Sequence, residues 1–174
     1  MQTALRELID NDLYNELRWL LCAATEWDAD RKLQEQPCFR HPFHLSVYTM
    51  DSALLHARSL YEFFTATEPI RPERRTWRDY SRDARQESDK YNEFIKPLHG
   101  RVMHLNRDRD GYDPVKDEVV NFASDILRLW DDFSKKPGLG PYAGLLQKYR
   151  KQAIDEAADV AKQYSRYGFS CPFR

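Results

Sequence analysis

The sequence predicts an all-α protein, an antiparallel bundle of about five helices. Apolar residues recur at three- and four-residue intervals rather than alternating, which is the helical period. Glycines number only 6 and prolines 9. The links between periodic runs are short, and short links leave consecutive helices side by side. A first helix is predicted from about Thr3 to Leu33, with Leu5, Leu8, Ile9, Leu13, Leu17, Leu20, Leu21 and Ala24 in one stripe, stopping before Pro37. A loop through Pro37 and Pro42 leads to a second helix, from about Phe43 to Thr67, which turns Val47, Met50, Leu54, Ala57, Leu60, Tyr61 and Phe64 inward until Pro69 and Pro72 end it. A third helix is predicted from about Glu87 to Asn106, kinked or divided at Pro97, and Asp108 to Gly111 form a turn. Asp113 as N-cap and Pro114 at the first helical position open a fourth helix, which carries Val119, Phe122, Ile126, Leu129, Trp130 and Phe133 to about Lys135. The run Pro137 to Pro141 breaks it. A last helix is predicted from about Tyr142 to Tyr167, followed by an irregular tail over 168–174.

With 174 residues the chain has the length of one helical domain spanning 1–174, interrupted by an arginine-rich connecting segment at about 68–86. Apolar residues make up 41% and charged residues 32%, with a mean hydropathy of -0.79, so neither a disordered chain nor a membrane protein is expected. The formal net charge is -1, and any attraction to nucleic acid or acidic lipid must therefore come from a local patch. Six arginines (Arg71, Arg74, Arg75, Arg78, Arg82 and Arg85) form the one concentrated basic stretch. Three cysteines, Cys22, Cys38 and Cys171, with no CxxC pair, argue against a disulfide scaffold or a four-cysteine zinc site and fit a reducing cytoplasm. The N-terminus lacks the apolar core of a signal peptide, and no run approaches the roughly 18 apolar residues of a membrane span.

Nucleotide-loop, zincin, hydrolase-elbow and EF-hand motifs are absent, and no cofactor is expected. A di-iron bundle needs paired ExxH motifs, and there are none. The five histidines are His41, His44, His56, His99 and His104, with no carboxylate at ligand spacing, so no metal site is expected from them. The informative stretch is Leu98 to Arg109. Arg101 and His104, three residues apart, share a helix face, and a fixed guanidinium beside an imidazole suits phosphate chemistry. The arginine can hold the anion while the histidine moves a proton. In metal-free RNA cleavage an imidazole takes the 2′-hydroxyl proton, the oxygen attacks phosphorus, and a cation stabilises the developing charge. The ordinary structural alternative is a salt-bridged Arg101 and a capping or packed His104. A second polar set, Asp51, His56, Arg58 and Glu62, interrupts the stripe of the second helix. Pairs such as Arg58 with Glu62 are the bland reading. If the second and third helices face each other, His56 or Arg58 could meet Arg101 and His104 in one pocket.

The segments Ser52 to Phe64 and Arg101 to Arg109 together resemble a group of small uncharacterised bacterial helical proteins. The layout is similar to that of HEPN domains (higher eukaryotes and prokaryotes nucleotide-binding). The resemblance covers about a quarter of the chain. It implies a helical bundle, commonly a homodimer, that cleaves RNA without metal or binds nucleotides in toxin–antitoxin or phage-defence systems. It carries over Arg101 and His104 as the catalytic pair and His56 and Arg58 as support. In the family a polar residue follows the arginine and a longer spacer precedes the histidine; here the spacing is shorter, and His99 or Lys96 would fill the polar role.

Two functions compete. In the first, His104 is the general base or acid, Arg101 clamps phosphate, His56, Arg58 and His99 support them, and Arg74, Arg75, Arg78 and Arg82 steer the RNA backbone. In the second, the chain is a non-catalytic helical interaction or adaptor module for a protein partner, and the arginine-rich stretch pairs with acidic residues such as Asp131 and Asp132. A weaker third reading is a metal-dependent helical-bundle enzyme.

Overall fold

The structure, a computed structural model, describes residues 2–34, 45–65, 76, 88–95 and 117–174. Among these it is all-helical: α1 (Gln2–Glu7), α2 (Tyr14–Gln34), α3 (Leu45–Thr65), α4 (Val119–Ser134) and α5 (Gly140–Lys162), with π-helical turns at Leu8–Leu13 and Tyr91–Ile95 and a 3-10 turn at Ser165–Tyr167. The expected turn at Asp108 to Gly111, the Pro97 kink, the Asp113 cap with Pro114, and most of the arginine-rich segment lie outside the described residues.

The helix predicted from Thr3 is one helical run, but it is not α-helical throughout. Leu5, Ile9, Leu13 and Leu17 are all buried and fall four apart. An α-helix of 3.6 residues per turn would rotate such a series off the core, whereas a wider π turn keeps it facing inward. The π turn at Leu8–Leu13 sits where that series needs it. In α3 every inward position read from the sequence and described here, Met50, Leu54, Ala57, Leu60, Tyr61 and Phe64, is buried.

Two helix starts differ from the reading above. Asp117 and Glu118 form a turn, and the first bond of α4 runs from Phe122 N–H to the Glu118 carbonyl at 2.8 Å, so this helix begins at Val119 rather than at Asp113. Conversely, α5 begins at Gly140, ahead of the expected Tyr142, because Pro141 stands in the first turn, where its missing N–H costs nothing. Gly138, at φ 88, makes the turn between α4 and α5, and Leu139 is fully buried beside it. At the far end α5 stops at Lys162, short of Tyr167.

Contact pairs give the helix directions. Asp10 meets Tyr149, Arg18 meets Glu156, and Glu26 meets Tyr164, so α2 and α5 rise together in parallel. The end of α4 meets the start of α5 through Trp130 Nε1–H to the Leu146 carbonyl at 3.1 Å and Arg150 to Asp131 at 2.8 Å, which makes that pair antiparallel. Arg31 at the end of α2 binds Asp117 just before α4. An up-and-down bundle of five requires this: first and fifth parallel, fourth opposed to both. Tyr61, Phe64, Phe122, Trp130 and Phe133 fill the centre edge-to-face, with Phe64 and Phe133 centroids 5.5 Å apart. Ser88 Oγ–H donates to Asp125 at 2.6 Å and Tyr91 packs on Tyr61 at 5.9 Å, seating residues 88–95 on this centre. No helix among the described residues is long and apolar enough to cross a membrane.

The parallel α2–α5 seam is a ladder of phenols on carboxylates: Tyr14 to Glu156 at 2.5 Å, Tyr149 to Asp10 at 2.6 Å, and Tyr164 to Glu26. Burial, and then the hydrogen bond to Glu156, push the Tyr14 phenol up to about 12. The bond to Asp10 raises Tyr149, and the same bond holds Asp10 below the usual carboxylate range. A raised phenol stabilises the fold fully below its ordinary value of 10.0, and that contribution is lost as pH climbs from there through about 12. The lowered Asp10 acts oppositely, and its contribution is lost as pH falls below 3.8. Thermal melting across this alkaline window should show the Tm of the natural chain falling more steeply than that of Tyr14→Phe, which keeps the ring stack on Tyr149 at 4.5 Å but has no proton to lose. Equal slopes would remove Tyr14 from this account.

Candidate functional site

His56 sits on the side of α3 that meets α2. Its Nδ1–H donates to Glu16 Oε2 at 2.9 Å, and its ring lies against the Trp19 indole with centroids 5.2 Å apart. A carboxylate only accepts, so the hydrogen is on Nδ1, and in the neutral ring Nε2 is left as the acceptor. The His56 side chain is 14% exposed and that of Glu16 28%, so the pair is half-sheltered with a path to solvent. Two α2 positions one turn apart thus fix both the tautomer and the plane of the imidazole. Glu16 and Trp19 flank the core position Leu17, which is fully buried and holds that face of α2 against its neighbours.

Arg58, two residues further along α3, does not join this pair. Its Nε–H donates to Glu62 Oε1 at 2.7 Å, and both side chains are largely buried, 13% and 8% exposed. The ordinary neighbour pairing considered for Arg58 and Glu62 is the one found, whereas His56 takes a partner from another helix.

Arg101, His104 and His99, with Lys96, lie outside the described residues, as do Arg74, Arg75, Arg78 and Arg82, so their meeting with His56 is a matter for proposal. Asp131 and Asp132, named as partners for the arginine-rich stretch, bind Arg150 at 2.8 Å and Arg128 at 3.3 Å among the described residues. These residues border an open groove of about 470 Å³ between α4, α5 and the tail, where Leu127 and Phe173 supply the apolar part. Among the described residues no group of three or more His, Cys, Asp or Glu is placed to hold a metal ion.

Sequence reading had missed Glu16 and Trp19. Their signal is faint: a carboxylate and an indole on the edge of an apolar stripe, positions that many surface helices fill without consequence. Trp19 is nevertheless 47% exposed, and Tyr48 and Leu55, two helical turns apart on one face of α3, are 59% and 45% exposed. Comparison of the chain with protein-family models, with curated proteins and with solved structures finds no match.

Proposed function

We propose that the chain is an HEPN-like, metal-independent ribonuclease or RNA-binding protein, with Arg101 as phosphate clamp, His104 as general base or acid, and His56, Arg58 and His99 as supporting groups. The observation that supports it best is the carboxylate-oriented imidazole of His56. A histidine whose Nδ1–H is held by Glu16 keeps Nε2 ready to exchange a proton, which a histidine packed into the core does not. Arg74, Arg75, Arg78 and Arg82 supply the local positive charge that an overall charge of -1 does not.

Purified protein should cleave single-stranded RNA in the presence of EDTA, and His104→Ala should reduce the rate at least about 100-fold, the usual worth of a positioned acid or base. Its circular dichroism should match that of the natural chain. Undiminished cleavage by His104→Ala would sink the assignment of that residue.

A second reading is a non-catalytic helical interaction module. It is favoured by Trp19, whose indole lies against the His56 ring, and by Tyr48 and Leu55 on one face of α3, large apolar side chains left 45% or more exposed. The same assay separates the two: a folded natural chain that leaves RNA intact and does not retain it on a filter belongs to the second.

A further inference from the structure

We propose that Cys22 and Cys171 form a reversible disulfide site that clasps the C-terminal segment onto α2. The inference is independent of the RNA reading and rests on how that segment is laid down. It leaves α5 after Lys162, and the hydroxyl of Tyr164 donates to Glu26 on α2. Gly168, at φ 78, reverses the chain, and Phe169 then lies under Lys32 with the ammonium 5.1 Å from its ring centre. Five residues on, Arg174 reaches Asp155 at 3.6 Å, and Asp155 adjoins Glu156, the partner of Arg18.

The segment from Phe169, whose ring meets that of Tyr164 at 6.3 Å, to Arg174 therefore runs along the α2–α5 seam from the level of Glu26 to the level of Arg18. Glu26 and Arg18 are eight residues apart, about 12 Å of helix at a 1.5 Å rise, and five residues of non-helical chain, at up to about 3.3 Å each, span it. Cys22 lies midway between those two α2 positions, and Cys171 lies between the two anchors of the segment, Phe169 and Arg174. Both thiols are free and half-buried, and Cys171 and Phe173 pack against the core. Cys171 is near enough to Cys22 to act on it electrostatically.

The chemistry is thiol–disulfide exchange with a low-molecular-weight disulfide as oxidant. Burial pushes the Cys22 thiol up to about 11, so the first attack falls to Cys171. Its thiolate, the proton having passed to solvent, attacks one sulfur of the external disulfide and expels a thiolate. Cys22 then gives up its proton, attacks the Cys171 sulfur of the mixed disulfide and expels the second. Two protein thiols are oxidised and one external disulfide is reduced to two thiols.

The test uses the full chain with Cys38→Ser, leaving these two cysteines, incubated with oxidised glutathione and then alkylated. We expect a monomer lighter by two hydrogens, no free thiol, and a tryptic peptide joining Cys22 to Cys171 that dithiothreitol separates. Cys22→Ser in the same background should stop at a glutathione adduct on Cys171. A disulfide closes only when the two Cβ atoms come within about 4.5 Å, so the result is stringent. A stable adduct without the cross-link in the chain that retains both cysteines, an intermolecular dimer, or no reaction would each overturn the proposal.

Discussion

Trp130→Ala should lower the unfolding free energy by about 3–5 kcal/mol, the range for removing a large aromatic side chain from a packed core. Trp130 is fully buried, and it is the residue through which three helices meet. From α4 its ring lies edge-on to Phe64 of α3, centroids 6.4 Å apart, and its indole N–H is bonded to the Leu146 carbonyl of α5. Alanine leaves a void bounded by rigid aromatic rings, which cannot collapse as aliphatic side chains partly do. The lost hydrogen bond is the smaller term, because the Leu146 carbonyl also serves the ladder of its own helix. Against a total of about 5–15 kcal/mol for a domain, the substitution removes a large share of the stability. Urea unfolding followed by circular dichroism measures it, with Trp19→Ala as the contrast: that indole is 47% exposed, and loss of a surface side chain moves stability by about 0.5 kcal/mol. A Trp130→Ala midpoint close to that of Trp19→Ala would mean that the α3–α4–α5 centre is not packed as described.

Trp130 was legible in the sequence as a core residue, and so was most of the fold, because the helical period is written into single residues. Phe122, Ile126, Leu129, Trp130 and Phe133 share one face of α4 whatever surrounds them, and all are buried. What periodicity cannot carry is the local winding of the backbone. The four-residue spacing of Leu5, Ile9, Leu13 and Leu17 reads as an ordinary stripe in sequence, and only packing shows that a π turn absorbs the mismatch. Helix starts failed for a related reason. Asp113 and Pro114 form a good opening signal, yet Asp117 and Glu118 turn instead, with Asp117 drawn to Arg31 across the bundle.

The candidate site was less legible, because its described part is made across helices. Glu16 and His56 are 40 residues apart, and nothing in either segment specifies the α2–α3 register that joins them. Arg58 with Glu62 is the opposite case, an i,i+4 pair readable from spacing alone. Local pairs are legible in a single sequence, while interhelical ones wait on packing.

That buried pair carries the second large effect. Arg58→Ala is expected to cost about 1.5–3 kcal/mol, the worth of a charge-assisted hydrogen bond lost from a sheltered carboxylate. Glu62 is 6% exposed, so water replaces the lost guanidinium only in part. The double change Arg58→Met with Glu62→Leu should return most of the loss, because well-packed apolar residues of similar volume replace such pairs at little cost. The comparison also separates two roles for Arg58. If the guanidinium only neutralises Glu62, the double variant regains both stability and any RNA cleavage the natural chain shows. If Arg58 also supports the phosphate chemistry of Arg101 and His104, the double variant melts near the natural chain and still cleaves RNA more slowly. Recovery of stability isolates the second effect, since a fold restored without its cation can lose only what the cation itself supplied.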